Sequence, residues 1–476
     1  VTDRYGNKTE YERDIRGNIT EIINPDGSPS EYKYDKKDNV IFSEDEEGKG
    51  TYYVYDSQGI NLLKEVQPLN GTDQYIEGQS NISNFAITQY TYYTGTQTKG
   101  LVKTVTDPEG NQTTFTYDSD GNVSTVKDGE NNITTYQYNG IGWLMSETTP
   151  LGYRTEYSYD ANGQSVMTKH VNPADSSKNS IQRTVYDDMG RKIKEVSPNL
   201  YNPSLDGLNS TPVSQTYSGN QGYRYEYYTS GKLMKVTDPE NNITTYDEYD
   251  IYGNLKKETK SNGAIYLYDY DVMNRLARVS FKENASASTV ILERYAYSTV
   301  DGKTLPDGTV LKNTVKTHTV YRSDTDTLVY KYIYDYAGNL IEQENPDGTT
   351  IVNQYYNNGQ LKAVTDPKGN TTYYYYDGLN RLKEERIPFQ KINNTLYYSK
   401  TIKQYDKNGN LILEKITNNK PGQAESYKKI GYQYDGCDRL VKVTTYHNGA
   451  PENYTQYYYD GDGRKVRMYT GLSSPL

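Results

Sequence analysis

The feature that most limits what this chain can become is a tyrosine, usually followed by aspartate, with glycine four positions on, returning at a spacing of 21 residues in long stretches. Tyr117-Asp118, Tyr138-Asn139 and Tyr159-Asp160 are consecutive copies. Tyr249-Asp250 and Tyr270-Asp271 form another pair, and Tyr334-Asp335, Tyr355 and Tyr376-Asp377 a further run. Others stand at Tyr34, Tyr55, Tyr186, Tyr227, Tyr405, Tyr434 and Tyr459. The slot four residues later holds Gly121, Gly142, Gly163, Gly190, Gly231, Gly253, Gly338, Gly359, Gly409 or Gly463, and otherwise Asn274, Asn380, Asp38 or Asp438. Glycine has no Cβ to clash in left-handed backbone, and Asn and Asp tolerate it best among the rest, so this substitution set predicts a positive φ at each slot. Asp118-Ser119-Asp120-Gly121 then reads as a type I turn: the aspartate caps backbone N–H groups and the glycine leads into a bulged hairpin.

A second reversal falls about half a period away, at Asp107-Pro108-Glu109-Gly110, Asp238-Pro239-Glu240-Asn241 and Asp366-Pro367-Lys368-Gly369, with Asn24-Pro25-Asp26-Gly27 and Asn345-Pro346-Asp347-Gly348 as variants. Proline presets φ for the second position of the same turn type. The arms between turns, such as Asn111 to Tyr117 and Asn122 to Lys127, are rich in Thr, Tyr and Val and too short for helices. One repeat is therefore two antiparallel strands, and successive repeats should pair side by side. The expected fold is all-β: a continuous antiparallel β-hairpin ribbon coiled by strand twist into a spiral or hollow shell. Tyrosines at alternate arm positions, as at Phe115 and Tyr117 or Tyr374 and Tyr376, are expected to stack across strands while their hydroxyls find water or backbone.

No linker or compositional break divides the chain, so residues 1–476 read as a single repeat region. The period fails near 60–92, 197–222, 281–320, 387–401 and 416–428, which read as longer loops or extended hairpins projecting from the ribbon. Hydrophobic residues make up 34% of the chain and 55 residues are tyrosine, so a conventional aliphatic core is not expected. Lys+Arg 52 against Asp+Glu 62 leaves a net charge of −10, read as spread along the chain with no basic face for phosphates, which argues against nucleic-acid partners. No apolar run approaches the ~18 residues of a membrane span. The sequence opens at Val1 without a Met or signal-peptide pattern and is expected to be a piece of something longer.

The heptapeptides Tyr117-Asp118-Ser119-Asp120-Gly121-Asn122-Val123 and Tyr334-Asp335-Tyr336-Ala337-Gly338-Asn339-Leu340, preceded by Asp-Pro-x-Gly turns, resemble the Rhs/YD repeats over nearly the whole chain. That family includes bacterial Rhs polymorphic toxins, B and C components of insecticidal toxin complexes, wall-associated proteins and animal teneurins. The resemblance implies a hollow β-shell that is secreted or lies at the cell surface. In bacterial members the shell encloses a C-terminal toxin; in teneurins it serves extracellular adhesion. The bacterial proteins usually end the shell with an Asp-Pro-x-Gly segment at which self-cleavage occurs. Asp107-Pro108-Glu109-Gly110 and Asp366-Pro367-Lys368-Gly369 share those letters, but each sits at an ordinary half-period turn and is read as a turn.

Chemistry is not suggested. His170, His318 and His447 are scattered with no carboxylate pair beside them, and Cys437 lies in the turn Asp435-Gly436-Cys437-Asp438 with nothing to depress its pKa. As the lone cysteine it also excludes an internal disulfide and cysteine-based zinc sites. Gly461-Asp462-Gly463 and Gly140-Ile141-Gly142 lack the third glycine of a dinucleotide loop. The calcium-like Asp118-Ser119-Asp120-Gly121 and Asp460-Gly461-Asp462-Gly463 carry Gly129 or Gly471 where a bidentate Glu would be needed. The chain is therefore read as non-catalytic, without cofactor or metal. Three partner classes fit a shell of this kind: an enclosed C-terminal toxin, a glycan or cell-surface protein held by exposed aromatics, or further copies joined through open ribbon ends.

Overall fold

Hairpin after hairpin, the chain forms a single 36-stranded sheet, and no helix occurs among the described residues. This is a computed structural model. It describes all residues except 3–5, 47, 70–72, 81, 96–97, 173–178, 203–221, 305–309, 336, 393–394, 419–425, 448, 461 and 473–476, and gives the backbone alone for 299–304, 310–314, 392, 418, 426 and 447. Strands pair with their sequence neighbours in antiparallel register, as in Gln112–Tyr117 with Val123–Lys127 and Val123–Lys127 with Ile133–Tyr138. The expected continuous antiparallel hairpin ribbon is what the chain builds.

The left-handed slots are occupied as the sequence predicts. All fourteen Gly, Asn and Asp residues named for them have positive φ, from 55° at Asp438 to 93° at Gly253 and Gly409. The Tyr-type turns whose strand register is described also carry a feature the sequence does not announce. Tyr117 faces Val123 but Thr116 faces Thr125, so Ser124 is an extra residue in the returning strand. The same shift recurs at Tyr138, Tyr159, Tyr270, Tyr334 and Tyr376. Half-period turns of ordinary length show none, as between Val123–Lys127 and Ile133–Tyr138 or between Leu340–Glu344 and Thr350–Tyr355, whereas three longer connections carry shifts of their own, at Val279/Ser280, Pro388/Gln390 and Thr445/Tyr446. A bulge bends its strand and raises local twist. In the repeats of ordinary length the bulges recur on the tyrosine-turn side, so the same local bend is repeated from hairpin to hairpin.

Burial is sparse because the ribbon is one layer thick. One hydrophobic cluster of buried residues exists among those described: Val66, Phe85 and Ile87, with Tyr52 and Tyr75 packed against it. It forms where residues 69–84, part of the aperiodic stretch 60–92, connect Leu62–Pro68 to Phe85–Tyr92. The Tyr75 ring lies edge-on to Phe85 at 5.5 Å, and Lys64 binds Glu77 at 2.6 Å. The stretch 281–320 contains a long hairpin, Val290–Thr304 with Val310–Tyr321. The stretch 387–401 lengthens the hairpin Leu382–Ile392 with Thr395–Tyr405. For 416–428 the strands Leu411–Asn418 and Ser426–Tyr434 pair while 419–425 lie outside the described residues, as does most of 197–222.

Two compact units divide the contacts, Val1–Thr113 with Asp247–Thr371, and Thr114–Tyr246 with Thr372–Leu476. Neither is contiguous, and all three boundaries fall inside strands. Within each unit the two segments are joined through turns. In the first, Asn357 N donates to Glu109 Oε1 at 2.9 Å, across 248 residues. In the second, Gly378 N donates to Glu130 Oε1 at 2.6 Å, again across 248, and Leu151 N donates to Asn408 Oδ1 at 3.1 Å. Each bond joins a half-period turn of the earlier segment to a Tyr-type turn of the later one.

Left-handed geometry predicts a sharp substitution rule. Gly253→Val places a β-branched side chain at a φ of 93° and is expected to destabilise by about 1–3 kcal/mol, whereas Gly253→Asn should cost under about 1 kcal/mol. The urea midpoints of the two variants against the parent chain measure this.

Candidate functional site: the tyrosine turns

Tyr117, Tyr138, Tyr159, Tyr249, Tyr270, Tyr334 and Tyr376 each end a strand, and the next residue opens the turn. Asp118 shows what that residue does. Its Oδ1 accepts from Asp120 N and Asn122 N, both at 2.9 Å, and its Oδ2 accepts from Asn122 Nδ2 at 3.0 Å. The backbone closes the turn through Gly121 N to Asp118 O at 3.3 Å and Asp118 N to Asn122 O at 2.9 Å. Asp250 is held in the same way by Asn254, and Asp335 by Asn339. At Asp160 the partners are the backbone amides of Asn162 and Gln164. Asn139, in the aspartate position, accepts from Trp143 N at 2.9 Å.

Where arginine replaces the asparagine that follows the left-handed residue, the turn gains a second contact. Arg275 Nε donates to Asp271 at 2.8 Å while its guanidinium lies 4.5 Å from the Tyr297 ring. Arg381 binds Asp377 at 2.7 Å and lies 4.7 Å from the Tyr405 ring. In both cases the tyrosine belongs to a following repeat, so a planar cation ties one turn to the next. At Gly142, Gly163 and Gly338 the φ values are 83°, 82° and 79°, and a Cβ on Gly163 would stand 2.8 Å from the Trp143 ring.

The tyrosine reaches backwards. Tyr159 Oη donates to Leu144 O at 2.7 Å, Tyr270 to Leu255 O at 2.9 Å, and Tyr405 to Leu382 O at 2.7 Å. In each case the acceptor is the first residue of the strand that leaves the preceding tyrosine turn. The expectation that tyrosine hydroxyls find water or backbone is met by backbone at these turn tyrosines, whereas Tyr268 and Tyr295, two residues before the turn tyrosine, donate to Glu258 and Glu293.

Two members of this set escape the 21-residue count. Tyr92 donates to Leu62 O at 2.7 Å and Tyr297 to Leu276 O at 3.0 Å, both within stretches read as breaks in the period. A signal was present: a second aromatic ring two residues earlier, Tyr90 and Tyr295 here, as Phe115 precedes Tyr117 and Tyr157 precedes Tyr159.

The turn carboxylates are electrostatically settled. Hydrogen bonds from the side chains of Asn122, Asn242 and Asn370 hold Asp118, Asp238 and Asp366 below the usual carboxylate range. Asp335 differs, because burial pushes its carboxyl up despite Asn339. Burial also pushes the Cys437 thiol up, the direction that makes a nucleophile weaker at neutral pH. His318 departs from the sequence expectation: strand pairing brings Glu293 to 3.5 Å from its Nε2, and its ring stacks on Tyr295 at 4.6 Å. His170 Nδ1 lies 3.1 Å from Thr155 Oγ1, and the side chain of His447 falls outside the described set. Among the described residues no group of three or more His, Cys, Asp or Glu is placed to hold a metal, and no helix is long and apolar enough to cross a membrane.

With the turns on the page, comparison with known proteins is informative. The RHS repeat family matches at residues 98–133, 117–154, 138–177, 227–265 and 355–388, so the chain carries RHS repeats. No curated protein matches the sequence. The crystal structure of TcdB2-TccC3 is similar over 99% of this chain and 32% of that one, with a TM-score of 0.53 and 13% identity. A Tc holotoxin pore of Photorhabdus luminescens aligns over 94% of this chain and 27% of its own, with a TM-score of 0.45 and 13% identity. The first likeness establishes a shared fold, and this chain spans about a third of that structure's length.

Two outcomes follow from the turn chemistry. Tyr159→Phe removes one hydroxyl-to-carbonyl bond at unchanged ring volume and is expected to cost about 1 kcal/mol in chemical denaturation. Because the folded-state pKa values of Asp118, Asp238 and Asp366 are depressed, their contribution is complete above the unfolded carboxylate pKa and is lost as pH falls through the folded values. Thermal midpoints should therefore hold steady from neutral pH down to about 5 and fall below about 4. In a triple Asp-to-Asn variant of these positions the acid fall should be smaller.

Proposed function

We propose that this RHS-repeat chain is a non-catalytic structural element, a stretch of the wall of a secreted bacterial β-shell that encloses or delivers a toxin lying C-terminal to it. The observation that carries this reading is the economy of the ribbon. The first carboxylates of the tyrosine turns, as at Asp118, Asp250, Asp271, Asp335 and Asp377, are bound within their own turns, a use that serves a continuous sheet and not a reaction centre. A one-layer sheet of such length is a poor scaffold for a catalytic pocket and a good one for a partition. The fold shared with TcdB2-TccC3 supports the same reading.

The cavities described fit it as well. The hollow of about 560 Å³ beside Tyr252 and Tyr268 is lined by two neighbouring tyrosine turns. Asp250 and Asp271 in its rim are already bound by Asn254 and Arg275.

A protease-protection experiment tests the proposal. The chain would be co-produced with the polypeptide encoded downstream of it, and both exposed to a broad-specificity protease. Survival of the downstream segment only when the ribbon is present is the expected result. Digestion at the same rate with and without the ribbon would remove encapsulation, and a folded, active enzyme from the ribbon alone would remove the non-catalytic assignment.

A further inference from the structure

Residues 382–476 differ in charge from the rest. They hold 15 Lys and Arg against 10 Asp and Glu, in a chain whose net charge is −10. The reading of charge as evenly spread therefore fails at this end, and strand alternation concentrates the difference further. Side chains directly opposite each other in neighbouring strands share a face, as do residues two apart along a strand. By that rule Arg386, Lys400, Lys415, Lys429 and Lys442 lie on one face of the hairpins between Leu382 and Tyr459. Arg467 continues it in the last strand, opposite Tyr458. Glu384 shares the face, but its carboxylate is bound by Arg386 Nε at 2.5 Å.

Tyrosines of the same face alternate with these cations. Lys415 Nζ lies 4.6 Å from the Tyr427 ring, Lys429 Nζ 4.7 Å from Tyr446, and Lys442 Nζ 4.9 Å from Tyr454. Arg467 lies 4.3 Å from Tyr469, and Arg386 4.5 Å from Tyr375. A second observation is independent of this one. Arg386 stands directly opposite Lys400, and Lys415 directly opposite Lys429. Like charges in such positions destabilise a sheet. Glu384 balances Arg386 in the first pair, and the two pairs together gather cationic charge at neighbouring points of one face, where an anion is favoured.

We propose that this face binds an anionic polysaccharide, one whose sugars carry carboxylate or sulfate groups. The cations supply the charge, and Gln433 and Gln456, directly opposite Lys442 on either side, supply amide donors and acceptors suited to sugar hydroxyls. Single-stranded nucleic acid fits less well, because it needs open aromatic faces for its bases and these rings are already covered by cations. The inference rests on the face alone and does not depend on the shell reading.

Binding of the full chain to heparin and to polygalacturonate, measured by titration calorimetry at low and high salt, tests it. Neutral dextran, poly-glutamate and oligothymidylate serve as competitor classes. Both acidic polysaccharides should bind and weaken as salt rises, and dextran should not bind. Lys415→Gln with Lys429→Gln should lower affinity about tenfold while the far-UV circular dichroism of the sheet stays that of the parent. A matched control, Lys103→Gln with Lys362→Gln, removes equal charge from lysines that lie over Tyr93 and Tyr356 elsewhere in the chain and should leave affinity unchanged. The proposal is overturned by absence of binding, by equal binding of dextran, by tighter binding of poly-glutamate or oligothymidylate, or by a double variant that keeps its sheet and binds as tightly as the parent.

Discussion

One hydrogen bond makes the repeats into a protein: the tyrosine hydroxyl that crosses to a carbonyl in the preceding repeat. Within a hairpin the turn closes itself, with aspartate satisfying two amides and the left-handed residue completing the reversal. That closure specifies a neighbour only where an arginine such as Arg275 or Arg381 also reaches a following tyrosine ring. Tyr159 to Leu144 and Tyr270 to Leu255 specify one, and they bind the end of a strand, where bulging leaves the ladder irregular and a carbonyl in need of a donor. Phenylalanine would fill the same space without that donor. The stability of the ribbon is thus a sum of local closures and nearest-neighbour links, the energetic form expected of repeat arrays.

How far the sequence discloses this depends on whether a requirement marks residue type. Left-handed backbone does: Gly, Asn and Asp at fixed positions were sufficient to place all fourteen kinks. The bulge opposite each tyrosine does not, since Ser124, Met145 and Val166 occupy it with nothing in common except position. The turn partner of the aspartate was half visible, because asparagine and arginine look unlike until both are seen to donate to the same oxygen. The 248-residue links through Glu109 and Glu130 were invisible, since they depend on curvature accumulated over many hairpins. Tyr92 and Tyr297 were missed because a period was counted where a pattern, aromatic rings at alternate positions, should have been followed.

Charge gives the same lesson in another form. Summed along the chain, acids and bases look interspersed. Sorted by pleat, Arg386, Lys400, Lys415, Lys429 and Lys442 fall on one side with Glu384, while Glu385 and Glu414 fall on the other with Lys403 and Lys428. A β-sheet turns every second residue of a sequence into a surface of its own, so a linear count averages two surfaces that a ligand would meet separately.

The bulges at the tyrosine turns have a further effect, on tolerance to length change. Each one restarts strand pairing at a fixed tyrosine, so the in-and-out order of side chains is set afresh at every repeat. A hairpin can then grow, as Val290–Thr304 with Val310–Tyr321 has grown, without passing an offset to the strands that follow. Such a ribbon is modular in the genetic sense: insertions between resets alter one projection and leave the weave intact, which allows the edges to diversify while the wall stays the same.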